Sequence, residues 1–256
     1  MKKAEIKAYL DAKVLEYNNS NFVSKDPISI PHSYHRKQDI EITAFWVSML
    51  SWGLRKTIIN KSKELFGLMG DSPYEFIVNH SEKDRSRFEY FKHRTFQYTD
   101  TLYFLDYLQR YYRENDSLEN AFARHLTSES IHVGDAIRGF HDEFFDIDYA
   151  PHRTRKHVAT PARGSTCKRI NMFLRWMVRD SDTGVDFGIW NTLQPAQLLM
   201  PLDVHVDRVG RKLMLIKRKQ RDFRTVLELT KALKKFDSQD PVKYDFALFG
   251  IGVMEN

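Results

Sequence analysis

The chain has 256 residues, of which 42% are hydrophobic and 13% aromatic, which is enough apolar material to bury a core and excludes an intrinsically disordered protein. Its longest apolar stretch, near Phe246 to Met254, is too short to cross a bilayer, and Met1 to Lys7 alternate in charge where a signal peptide needs an apolar block. Cys167 is the single cysteine, which excludes an internal disulfide and any cluster held by cysteines alone. We therefore expect a soluble, cytoplasmic protein without a membrane partner.

Apolar residues recur at helical spacing along most of the chain, whereas the alternation typical of strands never persists. The first helical pattern follows Asp39, the second ends at Gly67, and the third starts at Ser72, just before a proline. Thr101 and Ser117 open the next two. Further helices are predicted at 133–145, 168–179, 204–216, 222–236 and 241–250, with irregular loops at Tyr149–Thr166 and Arg179–Pro195. The predicted fold class is all-α.

The net charge of +6 is unevenly distributed along the sequence. Residues 151–179 contain eight lysines and arginines and no acidic residue, and residues 208–224 contain another eight against Asp222 alone. Clusters of this kind are typical of proteins that bind a polyphosphate, because lysine and arginine release counterions from a phosphate backbone. The alternative interpretation is two solvated helix faces that have no partner.

Asp203 stands where a helix N-cap is expected. It follows Pro201 and precedes Val206 and Val209, which share one apolar face of the predicted helix. A short carboxylate at this position accepts hydrogen bonds from the first backbone N–H groups, and these bonds favour its charged form. Together with Lys168 from an earlier helix, Asp203 could act on a sugar carbon.

The residues from Leu202 to Leu213 resemble the Val-Asp-Thr-His-Val-x-Arg-x-x-x-Arg-Leu signature of the helix-hairpin-helix DNA glycosylase superfamily, which includes endonuclease III and 8-oxoguanine glycosylase. Ala44 to Phe66 is similar to the Leu-Ser helix of that superfamily and to the DNA-penetrating turn after it. Ala247 to Gly252 falls at its closing glycine segment. Closer still is the similarity to a bacterial family of unknown function that shares Cys-Lys-Arg and Phe-Leu-Arg-Trp-Met-Val-Arg, here Cys167–Arg169 and Phe173–Arg179.

The resemblance implies an all-α, two-lobed, glycosylase-like fold with a central cleft. The whole chain, 1–256, would be one compact unit with two helical lobes. Approximately 41–175 would form the central lobe, ending in a modified hairpin, and approximately 1–40 plus 180–256 would form the second lobe. The implied partner is double-stranded DNA with a damaged base, which places the protein at the nucleoid. No cofactor is expected, because the cysteine cluster of some relatives is absent.

The resemblance also implies the functional residues. Lys168 and Asp203 take the catalytic roles, and Trp52 and Leu54 stand where relatives insert a wedge or stacking group into DNA. Further residues would contact the nucleic acid: Arg55, Lys56, Arg153, Arg155, Lys156, Arg163, Arg169, His205, Arg208 and Arg211.

The chemistry expected of this pair is cleavage of a glycosidic bond. The transition state carries positive charge at C1′ of the sugar, so a fixed carboxylate stabilises it more than it stabilises the ground state. For attack by Lys168 the ammonium has to lose its proton, which Arg163 and Arg169 nearby in the sequence would favour. The resulting Schiff base would permit strand cleavage by β-elimination. The predicted activity is therefore that of a DNA N-glycosylase with AP-lyase activity, excising a damaged or mismatched base.

Each assignment has a simpler alternative. Asp203 could be a cap alone, Lys168 a phosphate contact, His205 a packed side chain, and Trp52 part of the core. Cys167 could be either a reactive thiol or a small buried hydrophobe.

The hairpin of the glycosylase superfamily reads Leu-Pro-Gly-Val-Gly-x-Lys, whereas this chain has one of those glycines, Gly164, before Lys168. This departure favours a second hypothesis, a non-catalytic DNA- or RNA-binding protein that retained the scaffold. A role directed at RNA is a third.

Overall fold

The computed structural model describes residues 2–180 and 182–254, which form helices joined by turns and loops. These residues contain no β-strand, only an isolated bridge that pairs His93 with Phe96. The all-α prediction is therefore confirmed. The α-helices in chain order are α1 Lys3–Tyr17, α2 Ser20–Ser24, α3 Lys37–Leu50, α4 Arg55–Gly67, α5 Pro73–Asn79, α6 Glu82–Arg85, α7 Tyr98–Tyr112, α8 Glu119–Ala123, α9 Gly134–Phe144, α10 Lys168–Val178, α11 Val204–Lys212, α12 Phe223–Leu233 and α13 Tyr244–Met254.

For two of the helices, local physical reasons explain why an end differs from the end predicted from the sequence. The helix predicted to open at Thr101 begins at Tyr98, because the carboxylate of Asp100 accepts a hydrogen bond from the backbone N–H of Gln97 and so caps the earlier start. The helix predicted over 204–216 ends at Lys212, because Met214 adopts a left-handed conformation with φ 58° that a helix cannot contain.

Helices α1, α2 and the four-residue α6 were not predicted from the sequence. The buried residues of α1 are Ile6, Leu10 and Val14, which form a single narrow row among charged neighbours. Such a row gives a weak helical signal, because a helix that packs on a core usually carries a broader apolar face.

The chain divides into two compact units. The first unit comprises 1–24, 126–138 and 160–256, and the second comprises 25–125 and 139–159. The division falls inside α9, between positions 138 and 139. Lys168 and Asp203 both belong to the first unit.

The core of the second unit is built from aromatic rings. Phe45 on α3 stacks on Phe104 of α7, with ring centroids 5.7 Å apart, and meets Phe140 edge to face at 5.6 Å. Phe122 on α8 stacks on the same Phe140 ring, with ring centroids 4.1 Å apart. All four rings are fully buried, and contacts between rings at these separations are favourable beyond their apolar area.

In the first unit, α13 packs against both α1 and α11. Glycines permit both close approaches. A Cβ atom built on Gly250 would lie 2.2 Å from the Tyr17 ring, and one on Gly252 would lie 2.8 Å from Cβ of His205. The position of α13 therefore depends on residues without side chains at its two contact points.

We expect Gly250→Ala to lower the free energy of unfolding by about 1–3 kcal/mol, because the added methyl overlaps a ring that is held in a packed interface. Gly67→Ala is the matched control, since no atom lies within 4 Å of a Cβ at Gly67. That control should change stability by less than about 1 kcal/mol. Urea unfolding of both variants tests this, and equal midpoints would contradict it.

Candidate functional site

Asp203 is the N-cap of α11, as predicted. Its Oδ1 accepts hydrogen bonds from the backbone N–H groups of His205 and Val206, both at 2.9 Å. No group in the described part of the chain donates a hydrogen bond to Oδ2 of this half-buried residue. The carboxylate is thus fixed through one oxygen, which leaves the other for a further interaction.

Lys168 is the first residue of α10 and is half-buried. The segment before it is a 3₁₀ turn, Pro161–Arg163, which ends at Gly164 with φ 71°. Cys167, directly before the lysine, is also left-handed with φ 51°. The carbonyl of Gly164 accepts a hydrogen bond of 3.0 Å from the N–H of Phe223. The segment before Lys168 is therefore a short turn with two left-handed residues, tied to the start of α12.

Asp245 connects these two residues electrostatically. It lies in the first turn of α13, and burial raises its pKa to about 6. The positive charges of Arg175 and Lys168 lower the pKa of Asp245. The negative charge of Asp203 raises it. A buried group responds in this way only to charges close to it. Lys168 and Asp203, from two different helices, therefore both lie within electrostatic reach of one buried carboxylate.

A network of buried ion pairs surrounds Asp245. Arg175 contacts Asp245 through Nη1 and Asp186 through Nε at 3.2 Å. Arg179 contacts the same Asp186 at 3.1 Å and Asp240 at 2.7 Å. The two arginines are 4% and 6% exposed. Both arginines belong to the basic segment 151–179, which was expected to bind phosphate. For these two residues that expectation is wrong, because their guanidinium groups are buried among carboxylates.

The sequence analysis did not single out Asp245 or Asp186. A signal for Asp245 was nevertheless present, because it is the one side chain from Tyr244 to Met254 that is ordinarily charged at neutral pH. A lone charge in such a stretch has to be buried with a partner or exposed by the fold. The partner, Arg175, is 70 positions away in the sequence.

His205 and Arg208 on α11 share one acceptor. Nδ1 of His205 donates to the carbonyl of Gly252 at 3.0 Å, and the Arg208 guanidinium donates to the same oxygen at 2.6 Å. The His205 ring also meets Phe249 edge to face. His205 is therefore a packed side chain that joins α11 to α13. Arg211 is paired with Asp207 through two hydrogen bonds of 2.9 and 3.0 Å.

Residues beside Lys168 differ in exposure. Cys167 is buried, and burial raises its pKa to about 12, so it carries a protonated thiol at neutral pH. It is therefore a small buried hydrophobe and no reactive thiolate. Burial also lowers the pKa of Arg169 to about 10, an effect that Cys167 partly opposes. Arg163 is exposed on the 3₁₀ turn.

In the second unit, the turn between α3 and α4 exposes two apolar side chains. Trp52 is 47% exposed and Leu54 is 77% exposed, so the alternative that Trp52 belongs to the core is wrong. The Trp52 carbonyl accepts a hydrogen bond of 3.2 Å from Nε2 of His93. The guanidinium carbon of Arg94 lies 4.5 Å from the centroid of the Trp52 ring. Arg94, which the sequence analysis did not identify, thus holds Trp52 in place at the surface.

The two basic residues after Leu54 begin α4. Arg55 lies 3.7 Å from Asp26, and Lys56 is exposed to solvent. Both therefore flank the exposed turn with positive charge.

The basic loop at 152–157 is anchored by Asp100, a fully buried residue of α7. Asp100 accepts a hydrogen bond from Thr154 Oγ1 at 2.7 Å, contacts Nη1 of Arg153, and lies 3.3 Å from Nε2 of His157. Burial would raise its pKa, but hydrogen bonds involving His157, Thr154 and the Gln97 backbone outweigh burial and lower the pKa to about 2. Arg153 is therefore an anchor of this loop.

The other two basic residues of the loop are arranged differently. Arg155 lies over the Phe145 ring at 4.8 Å and donates to the Phe145 carbonyl at 3.4 Å. Lys156 is exposed.

We expect Asp100→Asn to lower the free energy of unfolding at pH 7 by about 2 kcal/mol, because the lowered pKa measures how strongly the fold prefers the charged form. A depressed pKa contributes stability above the unfolded value of about 3.9, and this contribution is lost as pH falls towards about 2. The difference in stability between wild type and variant should therefore shrink over that interval. Asp148→Asn, at an exposed carboxylate, is the control. Parallel pH curves for wild type and Asp100→Asn would contradict the assignment.

Among residues 2–180 and 182–254, no three histidine, cysteine or acidic side chains are grouped so that they could hold a metal ion. No helix in the same residues combines the length and the apolar character needed to span a membrane.

The comparisons with known proteins give one family. Residues 26–254 match a family described as "Protein of unknown function (DUF2400)". No curated protein and no solved structure matches the chain. The match covers most of the sequence and includes Lys168, Asp203 and Asp245. The similarity to a family of unknown function that the Cys-Lys-Arg segment suggested is thus confirmed, and the chain belongs to the DUF2400 family.

Proposed function

We propose that this protein is a DNA glycosylase with AP-lyase activity, in which Lys168 and Asp203 excise a damaged or mismatched base. The helix-hairpin-helix glycosylase-like fold, with double-stranded DNA in a central cleft, is part of the same proposal. Its motif evidence is the similarity of Leu202 to Leu213 to the glycosylase signature.

One structural observation carries the proposal. A lysine at the start of α10 and a carboxylate at the cap of α11 both act on the buried Asp245, although they are 35 positions apart in the sequence. An amine and a fixed carboxylate are the two groups that an attack on a sugar C1′ requires, and here both lie within electrostatic reach of the same buried side chain. The backbone donors that hold Oδ1 of Asp203 keep this charge in place without rearrangement during the reaction.

The proposed reaction proceeds through a covalent intermediate. The neutral Nζ of Lys168 forms a bond to C1′ while the bond from C1′ to the base breaks, and the bonding electrons leave with the base. The sugar ring then opens at O4′, which takes up one of the two protons on Nζ, and this gives a protonated Schiff base on Lys168. Loss of a proton from C2′ expels the 3′ phosphate, which cleaves the strand. Asp203 stabilises the positive charge that develops at C1′ during the first step.

Two further groups of residues support a nucleic-acid substrate. The exposed turn of Trp52 and Leu54 presents an aromatic and an apolar side chain next to Arg55 and Lys56, and such a set can enter a base stack. Arg163, which is exposed on the turn before Lys168, can contact phosphate.

We expect Lys168→Gln to abolish the adduct that borohydride traps between the protein and a duplex with an abasic site or 8-oxoguanine. Asp203→Asn should slow trapping by about 100-fold or more, because an amide still caps the helix but carries no charge. Affinity for the duplex, measured by fluorescence anisotropy, should stay nearly unchanged in both variants. Lys212→Gln, at an exposed lysine of α11, is the control and should trap like the wild type.

The same experiment separates the two alternatives. If wild type forms no adduct across a panel of damaged duplexes, and if both substitutions change only affinity and its salt dependence, the protein is a non-catalytic binder. Competition between RNA and DNA duplexes then decides which nucleic acid it prefers.

The raised pKa of Asp245 predicts the pH dependence of the proposed reaction. Above about pH 6 Asp245 is charged, whereas below that pH it is neutral. We propose that the charged form takes up, through a bridging water, the proton that Lys168 has to lose. The trapping rate should therefore fall as pH decreases through about 6 in wild type. In Asp245→Asn the rate should be lower and should lack this acidic limb.

Asp186→Asn is the control for structural damage, because Asp186 also pairs with Arg175. It should keep an acidic limb, shifted to lower pH because the charge of Asp186 contributes to the raised pKa of Asp245. An unchanged limb in Asp245→Asn would show that Asp245 takes no part in proton transfer.

A further inference from the structure

The first unit contains a groove of about 500 Å³ that the proposed reaction does not use. It is formed by the start of α1, the turn after α11, and α12. Its floor is apolar, with Ile6 and Leu215 buried beneath it and Phe236 half-buried at its side. Pockets of about 300–1,000 Å³ with an apolar floor are typical binding sites for small ligands or short peptide segments.

The rim of the groove carries unpaired positive charge. Lys3, Lys217, Lys231 and Lys235 line it and are all exposed. In the described part of the chain, none of these four lysines forms an ion pair with an acidic side chain, whereas Lys7 on the same helix as Lys3 is paired with Asp11. The lysines come from three different elements, so their charges surround the apolar floor.

The one acidic residue of the rim is already engaged. The carboxylate of Glu228 accepts hydrogen bonds of 3.2 Å from the backbone N–H groups of Lys217 and Arg218. It therefore holds the turn after α11 in place and, among the described residues, forms no ion pair with a lysine of the rim.

That turn keeps an apolar side chain at the surface. Met214 is 72% exposed and has φ 58°, a left-handed conformation that costs a non-glycine residue free energy. The N–H groups of Leu215 and Ile216 both donate to the carbonyl of Gly210, at 2.8 and 3.2 Å, and so fix the turn. An exposed methionine held in this way at the edge of an apolar groove is available to contact a bound partner.

We propose that this groove binds an acidic peptide segment of a partner protein, with apolar side chains of the peptide on the floor and its carboxylates against the lysine rim. The charge pattern favours this occupant. A single anionic head group would engage one or two lysines, whereas carboxylates spaced along a peptide can reach all four. The apolar floor favours an occupant with apolar side chains over a duplex, whose outer surface is sugar and phosphate, and a flat bilayer does not fit a concave surface.

The probe is a fluorescein-labelled peptide, Asp-Asp-Glu-Leu-Phe-Asp-Asp, titrated with the full chain at low salt and followed by anisotropy. We expect binding in the micromolar range. Two control peptides, with alanines for Leu-Phe and with the neutral amides for the acids, should each bind at least about tenfold more weakly. No binding at about 1 mM protein, or equal binding of all three peptides, would overturn the proposal.

Variants of the protein locate the binding. Lys231→Glu with Lys235→Glu should weaken the peptide at least about tenfold, whereas the same charge change at Lys25 and Lys83, in the second unit, should not. Met214→Asn keeps a residue that tolerates the left-handed conformation but removes the apolar contact, so it should weaken binding without loss of stability. Equal effects of both double variants would place the peptide elsewhere and overturn the proposal.

Two further measurements separate this site from other roles. If dodecanoate binds the groove and the peptide does not, the occupant is a small amphiphile and the peptide proposal fails. Borohydride trapping should be unchanged in the Lys231/Lys235 variant, so the peptide site and the proposed glycosylase reaction stand or fall independently.

Discussion

The buried ion pair of Arg175 and Asp245 is the interaction on which the candidate site depends. Arg175 is on α10, the helix that begins with Lys168, and Asp245 is on α13, the helix that packs against α11 and its cap Asp203. The pair therefore joins α10, which carries Lys168, to α13, which packs against the helix that Asp203 caps. Removing one partner of a buried pair costs about 3–5 kcal/mol, because the remaining charge is left without compensation. Such a link is strong enough to fix the relative register of two helices.

The composition of this network explains why Asp245 is the carboxylate with the raised pKa. Two buried guanidinium groups, Arg175 and Arg179, face three carboxylates, Asp186, Asp240 and Asp245. Asp186 contacts both arginines, and Asp240 contacts Arg179 and lies nearer to solvent. Asp245 has one arginine and is additionally repelled by Asp203. Burial and the excess of negative charge therefore act together at one residue, and only Arg175 and Lys168 oppose them.

The sequence was sufficient for those parts of the structure that local rules determine. The cap at Asp203, the start of α10 at Lys168 and the buried stripe of that helix follow from spacing and from the chemistry of helix ends. The burial of Arg175 and Arg179 does not, because an arginine looks the same in the sequence whether it meets solvent or aspartates. Two of those aspartates, Asp240 and Asp245, are 61 and 70 positions from their arginines. Trp52 illustrates the same limit. Its exposure depends on Arg94 and His93, some 40 positions further along the chain.

The positive charge of the chain consequently consists of two populations with different roles. Arg153, Arg175, Arg179, Arg211 and Arg218 form ion pairs with carboxylates and contribute to folding. Exposed residues outside any such pair in the described part of the chain include Arg163, Lys212, Lys219, Arg221 and Arg224. Only the second population can release counterions from a phosphate backbone without first breaking an internal contact. A count of basic residues along the sequence therefore overestimates the positive charge that is available to a nucleic acid. Part of the basic clustering seen in the sequence comes from arginines that are buried in ion pairs.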